Sequence, residues 1–156
     1  MNNRIIKLKD FQGHDFANLK IIATNGCFDI LHVGHLRYLE QSKELGDVLV
    51  VGLNSDESVK RLKGDSRPIN NQDDRAEMLL GLKPVDYVVI FEEDTAEEFL
   101  KMVKPSIYTK GGDYSPSELE KWPEYHVAQQ IACKIELISF VDGKSSTKII
   151  NQINKS

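Results

Sequence analysis

The chain has 156 residues, 40% hydrophobic and 28% charged, a composition that suits one globular domain and speaks against a disordered or fibrous polymer. A formal net charge of −4 with scattered basic residues argues against broad binding of nucleic acid, and no apolar run approaches the roughly 20 residues of a membrane span. Cys27 and Cys133 are the only cysteines, too few for a disulfide framework and wrongly spaced for zinc.

Residues 1–19 have no clear period and are expected to be an N-terminal extension, with the domain over 20–156. Arg4, Lys7, Lys9 and Asp10 interrupt any apolar stretch of a secretory leader, so the expected location is cytoplasmic, with both thiols reduced. A strand is expected over Lys20–Thr24, then a helix over His35–Leu45 and a strand over Val48–Leu53. Helices over Ser58–Leu62 and Asp73–Leu82 flank the loop-like stretch Gly64–Asn71. A strand over Tyr87–Phe91, a helix over Ala96–Val103 and a strand over Ser106–Thr109 follow, then a second loop-like stretch, Gly111–Pro123. A strand over Ile135–Phe140 and a helix over Ser146–Ile153 close the chain, and Asp73, Thr95 and Ser145 read as cap or first-turn residues. Strand-length apolar runs alternating with amphipathic segments predict an α/β fold, a three-layer sandwich with a five-stranded parallel sheet covered on both faces.

The richest motif is Thr24-Asn25-Gly26-Cys27-Phe28-Asp29-Ile30-Leu31-His32-Val33-Gly34-His35, where the first expected strand hands over to the first helix. Ligands of open α/β sheets bind at that edge. Gly26 and Gly34 allow close approach of a phosphate, and His32 and His35 stand at a helix mouth whose dipole and free amides favour anions. The two imidazoles can donate hydrogen bonds to a polyphosphate. A metal pair would need partners: no third His or Cys lies at usable spacing, and the metal ligands stay unassigned.

The second motif, Asp142-Gly143-Lys144-Ser145-Ser146-Thr147-Lys148-Ile149-Ile150, sets three hydroxyls between a glycine turn and an amphipathic helix. Capping needs one of Ser145, Ser146 and Thr147; the others are available to phosphates. Between the two motifs, Lys60, Arg61, Lys63 and Arg67, followed by Arg75, form a cationic cluster that suits either a solvated helix face or a phosphate surface. Lys110-Gly111-Gly112-Asp113-Tyr114 lies just past the fourth expected strand, where Asp113 can accept hydrogen bonds from substrate hydroxyls or cap the next helix.

The first string resembles the H-x-G-H signature of the cytidylyltransferase-like nucleotidyltransferases, Rossmann-like domains that use both histidines on a triphosphate. Ser145-Ser146-Thr147-Lys148-Ile149 is similar to that family's S-T-T/S-x-I turn, with Ser146 where threonine is usual. V-K-R-L-K-G-x-x-R-P-I, F-E-E-D-T, K-G-G-D-Y and D-G-x-S-S-T resemble the adenylyltransferase domains of bifunctional ADP-heptose synthases over roughly residues 20–153.

This resemblance implies transfer of AMP from ATP, accompanied by Mg2+, to the sugar 1-phosphate D-glycero-β-D-manno-heptose 1-phosphate. It assigns catalysis to His32, His35 and Lys63, and nucleotide binding to Asn25, Gly26, Cys27, Phe28, Ser145, Ser146 and Thr147. Acceptor binding falls to Asp29, Arg75, Lys110 and Asp113, and Cys27 is not a nucleophile. It further implies a homodimer and, the usual kinase domain having no room in this length, a separate heptose kinase that supplies the acceptor. The alternatives are a CTP-dependent cytidylyltransferase for glycerol 3-phosphate or another alcohol phosphate, and a nucleotide-binding module without turnover.

Overall fold

Six parallel strands, not five, form one sheet in the order β1-β4-β3-β2-β5-β6. The structure, a computed structural model, describes residues 3–11, 16–139 and 146–155, with the backbone alone at 146–148 and 155. The strands are β1 Ile5–Lys7, β2 Ile21–Gly26, β3 Val48–Asn54, β4 Tyr87–Phe91, β5 Ile107–Gly111 and β6 Lys134–Ile138. The helices are α1 Val33–Lys43, α2 Asp56–Lys63, α3 Gln72–Leu80, α4 Glu97–Val103, α5 Pro116–Leu119, α6 Pro123–Gln130 and α7 Ser146–Lys155.

The extra strand comes from the stretch expected to lie outside the domain: Ile5, Ile6 and Lys7 pair in parallel with Val88, Val89 and Ile90. Three residues at a sheet edge are too few to carry a period-2 signal. Two helices, α5 and α6, also go beyond the expected elements. Each opens on proline at a first helical position, where the missing N–H has no intrahelical partner to lose. The caps differ in part: Asn71 caps α3 with Asp73 in its first turn, and Ala96 precedes α4 without a side-chain cap while Thr95 donates to Glu97 Oε1 at 2.9 Å. Phe140 and Ser145 lie outside the described residues.

Every residue of β3 is buried, as expected for a central parallel strand. Alternation along it divides the core. Val48 and Val50 join Phe99, Leu100, Val103 and Val127 of α4 and α6, while Leu49, Val51 and Leu53 join Leu39, Ala76 and Leu79 of α1 and α3. Gly52 is required by this packing, because a Cβ there would sit 3.0 Å from the Phe99 ring. The sheet is therefore covered on both faces, and β2 is where the connection reverses. The chain runs from β2 to β3 and β4 on one side, then crosses to β5 and β6 on the other. The crevice at such a reversal is the usual ligand site of an open α/β sheet.

Candidate active site

At the carboxyl end of β2 the chain turns through Cys27 and Phe28 toward α1. Phe28 takes φ of +46°, a left-handed conformation uncommon outside glycine and worth inspection at a site. Its ring holds the turn closed: it is 8% exposed, meets the His35 ring edge-on at 5.4 Å, and lies so near Gly26 that a Cβ there would come within 2.9 Å of it.

His32 is the N-cap of α1, and both histidines take part in the cap. The Gly34 amide donates to His32 Nδ1 at 3.0 Å, and the His32 amide donates to His35 Nδ1 at 3.2 Å. A neutral imidazole carries one N–H, so accepting at both Nδ1 atoms places the proton of each ring on Nε2. Burial, aided by the neighbouring His32, lowers the His35 pKa to about 4, so that ring is neutral near pH 7. With ring centroids 3.9 Å apart, the pair carries two Nε2–H groups beside a helix N-terminus, that of His32 buried.

A buried hydroxyl cluster fixes α1 against the sheet. Thr24 Oγ1 lies 2.6 Å from the Tyr38 hydroxyl and donates to the Thr109 carbonyl at 3.1 Å. Ser42 Oγ lies 2.9 Å from Thr109 Oγ1. The helix bearing the histidines is thus locked to β2 and β5, the two strands that flank the crevice.

Asp29 and Arg75 face into the protein. Asp29 is 3% exposed and accepts from Arg67 Nε at 2.8 Å, from the Ile69 amide at 2.8 Å and from the Asn70 amide at 2.9 Å. Burial by itself would raise its pKa; the Asn70 and Ile69 amides and the Arg67 guanidinium outweigh it and hold the carboxyl below its ordinary range. Arg75 is 1% exposed. Its Nε donates to Asn70 O at 2.9 Å, its Nη1 to Cys27 O at 2.7 Å and Asn54 O at 2.8 Å, and its Nη2 to Asp56 Oδ1 at 2.8 Å. These two residues bind the turn after β2, the end of β3, the start of α2 and the 64–71 loop into one unit.

The other face of the crevice is the end of β5. The Tyr108 hydroxyl donates to Asn25 Oδ1, and Lys110 Nζ lies 3.5 Å from the same oxygen. On the β3 side, Lys63 ends α2 as an exposed cation; burial pushes the Cys27 thiol up, and the charges of Lys63, Arg75 and Arg67 oppose that rise without cancelling it. The family model described as cytidylyltransferase-like matches residues 23–152, which takes in both motifs and all of this geometry.

The chain belongs to the cytidylyltransferase-like family.

Membership in this family of nucleotidyltransferases agrees with the fold and with the two-histidine cap. Among curated relatives, the bifunctional protein HldE of Aliarcobacter butzleri is 56% identical over 88% of this chain, and that of Nitratiruptor sp. is 59% identical over 86%. The chain spans 27% and 28% of those two proteins. Among solved structures, a lipopolysaccharide core biosynthesis protein from Thermoplasma volcanium is 31% identical, with a TM-score of 0.63 over 81% of this chain and all of that one. A pantoate-beta-alanine ligase from Francisella tularensis, at 17% identity and a TM-score of 0.63 over 97% of this chain and 78% of that one, shares the fold.

Of the cytidylyltransferase-like site expected from sequence, the structure brings together Asn25, Gly26, Cys27, Phe28, His32, His35 and Lys110, with Lys63 near Cys27. Asp113 is exposed just beyond β5. Two expectations need correction. Asp29 and Arg75 do not face an acceptor, because Asp29 is enclosed by Arg67, Ile69 and Asn70, and the Arg75 guanidinium points at four protein oxygens. Ser145 lies outside the described residues, as do the side chains of Ser146 and Thr147, whose backbone opens α7. Arg67, Asn70 and Tyr108 also support the site. Arg67 stands in the quoted R-P-I motif, whereas Asn70 and Tyr108 act through contacts more than 40 residues away in sequence, which no local pattern reveals.

Among the described residues, no group of three or more His, Cys, Asp or Glu is placed to hold a metal ion, and no helix is long and apolar enough to cross a membrane.

Proposed function

We propose that this chain transfers AMP from ATP to D-glycero-β-D-manno-heptose 1-phosphate, forming ADP-heptose and pyrophosphate. The observation that carries the transfer chemistry is the pair of Nε2–H donors fixed by the shared cap of His32 and His35. The similarity to HldE proteins and the K-G-G-D-Y and R-P-I segments support the choice of adenine and heptose.

In this reading the triphosphate lies over the start of α1, cradled by the backbone of Gly26, Cys27 and Phe28 beside Asn25. Ser145, Ser146 and Thr147 supply further hydroxyls to the phosphates. An acceptor phosphate oxygen attacks the α-phosphorus in line; a P–O bond forms as the α–β bridging bond breaks, and its electron pair leaves with pyrophosphate. No covalent enzyme intermediate is needed, so catalysis consists of positioning and charge stabilisation. His32 and His35 donate to phosphoryl oxygens as charge develops, and Lys63 balances it from the end of α2. Lys110 meets a substrate phosphate, and Asp113 accepts from the sugar hydroxyls. Mg2+ enters with ATP as part of the substrate complex. Asp29 and Arg75 hold the turn in place and touch no substrate. The acceptor is the product of a sugar-kinase reaction.

The test is pyrophosphate release with ATP or CTP, each offered heptose 1-phosphate or glycerol 3-phosphate in the presence of Mg2+. Release from ATP with heptose 1-phosphate alone supports the proposal. Release from CTP with glycerol 3-phosphate keeps the chemistry and overturns the substrates, and nucleotide binding without release under any pairing overturns turnover itself.

A further inference from the structure

Lys110 is an unusual cation. It stands in the last turnless stretch of β5, and its Nζ lies 5.7 Å from the centre of the Tyr108 ring and 5.8 Å from that of Trp122, within cation–π range of both. Its polar partner is Asn25 Oδ1 at 3.5 Å, an oxygen that already accepts from the Tyr108 hydroxyl. Among the described residues, the ion pairs do not include Lys110.

Trp122 is itself held in place. It is the residue before Pro123, the first residue of α6, and takes the extended conformation (φ −76°, ψ 137°) that a following proline favours. The Tyr114 ring meets it edge-on at 4.7 Å and 80°. The other groups acting on Lys110 are Glu124, whose carboxylate also accepts from the Ala96 amide at 3.0 Å, and Cys27. Burial lowers the Lys110 pKa, and these two oppose the shift without cancelling it. A desolvated ammonium is unfavourable unless paired. Aromatic faces meet part of that need, and a phosphate oxygen would complete it with a charge-assisted hydrogen bond.

We propose that Trp122 is a positioning residue: with Tyr108 it forms a slot that holds the Lys110 ammonium beside Asn25, ready for a phosphate group of one of the two substrates. The proposal rests on the nucleotidyl-transfer reading for its kinetic test, and on binding alone for its calorimetric one.

Trp122→Ala, Trp122→Phe and Lys110→Ala are compared with the unaltered protein, with melting temperature as the control for folding. Trp122→Leu keeps much of the packing volume without a π face and carries the test if Trp122→Ala does not fold. Removing the face should raise KM about 5- to 30-fold for one phosphate substrate, with a much smaller change in kcat. Varying ATP and the acceptor separately shows which substrate owns that phosphate. In Trp122→Ala the alkaline limb of the pH profile should move to higher pH, since water admitted to the slot favours the ammonium, whereas Trp122→Leu, which fills the slot without a π face, should move it to lower pH. Trp122→Phe should stay close to the unaltered protein. In the Lys110→Ala background, loss of the ring should have little further effect. A fall in melting temperature or kcat with unchanged KM and unchanged pH profile would overturn the proposal, as would equal effects of Phe and Ala. If the unaltered protein releases no pyrophosphate with any acceptor, the functional reading fails by itself. Calorimetric binding of ATP, of inorganic pyrophosphate and of a sugar 1-phosphate then decides: weaker binding of any of the three in both Lys110→Ala and Trp122→Ala supports the slot, and unchanged binding of all three overturns it.

Discussion

Replacing Arg75 with methionine removes one guanidinium while keeping most of the buried stem. The change strands the carbonyls of Cys27, Asn54 and Asn70 and leaves the Asp56 carboxylate without its partner. Breaking a buried charge pair from one side costs about 3–5 kcal/mol. Asp56 is 32% exposed and can regain water, which favours the lower end, whereas three stranded carbonyls at about 1–3 kcal/mol each, far from additive, push upward. About 3–5 kcal/mol is the expected loss, a large part of the roughly 5–15 kcal/mol that separates folded from unfolded domains. At roughly 2–4 °C per kcal/mol for a domain of this size, melting should fall by about 6–20 °C. Urea and thermal unfolding followed by circular dichroism measure it, with Arg75→Lys intermediate because one cation replaces a five-donor fork. A methionine variant within about 1 kcal/mol of the unaltered protein that raises the acceptor KM alone would refute this reasoning and restore Arg75 as a substrate ligand.

Alanine at His32 or His35 should lower pyrophosphate release by about 10²- to 10³-fold in steady-state assays, the usual effect of losing one preorganised donor; an unchanged rate would remove that histidine from the mechanism. His35, with a folded pKa of about 4 against an ordinary 6.5, binds its proton more readily unfolded, so its contribution to stability is complete above pH 6.5 and is lost as pH falls toward 4. Urea midpoints between pH 7 and 4 test this, and His35→Gln should flatten part of the slope. Asp29→Asn should destabilise by about 2–4 kcal/mol and speed hydrogen exchange at the Ile69 and Asn70 amides, which donate to that carboxylate; unchanged exchange there would contradict the latch. Cys133, buried and pushed up to about 11, should react with a thiol reagent only on unfolding, whereas half-buried Cys27 should react in the native state and be protected by ATP.

Much of the fold was legible because parallel strands buried on both faces read as plain apolar runs: Tyr87–Phe91 has the same bounds in sequence and structure. The losses have physical causes. Ile5–Lys7 is too short for a periodic signal and becomes a strand only because β4 offers it an edge. Ser115-Pro116 and Glu118 held a readable helix start, since Ser115 Oγ accepts from the Glu118 amide at 3.3 Å, but the surrounding Gly, Ser and Asp masked it. Trp122-Pro123 held another. The placing of the two histidines at a helix start was legible because the pattern is local: three residues apart, they share the cap of α1. The role of Arg75 was not, because an arginine in a cationic cluster reads alike whether it meets solvent, a phosphate or four protein oxygens.

The placement of charge separates two jobs that sequence had merged. Arg67 and Arg75 are matched by Asp29 and Asp56 at 2.8 Å, and such paired, buried guanidinium groups have little left to offer a ligand. Lys63 is exposed, and Lys110 lies beside Asn25 and two aromatic rings. The arginines, planar and multiply donating, suit the structural task of gathering carbonyls from several segments; the lysines, compact single charges on long stems, suit a substrate that arrives and leaves. On this division, the paired arginines hold the turn that carries the histidines, and the lysines on either side of it are left for the phosphates of the proposed reaction.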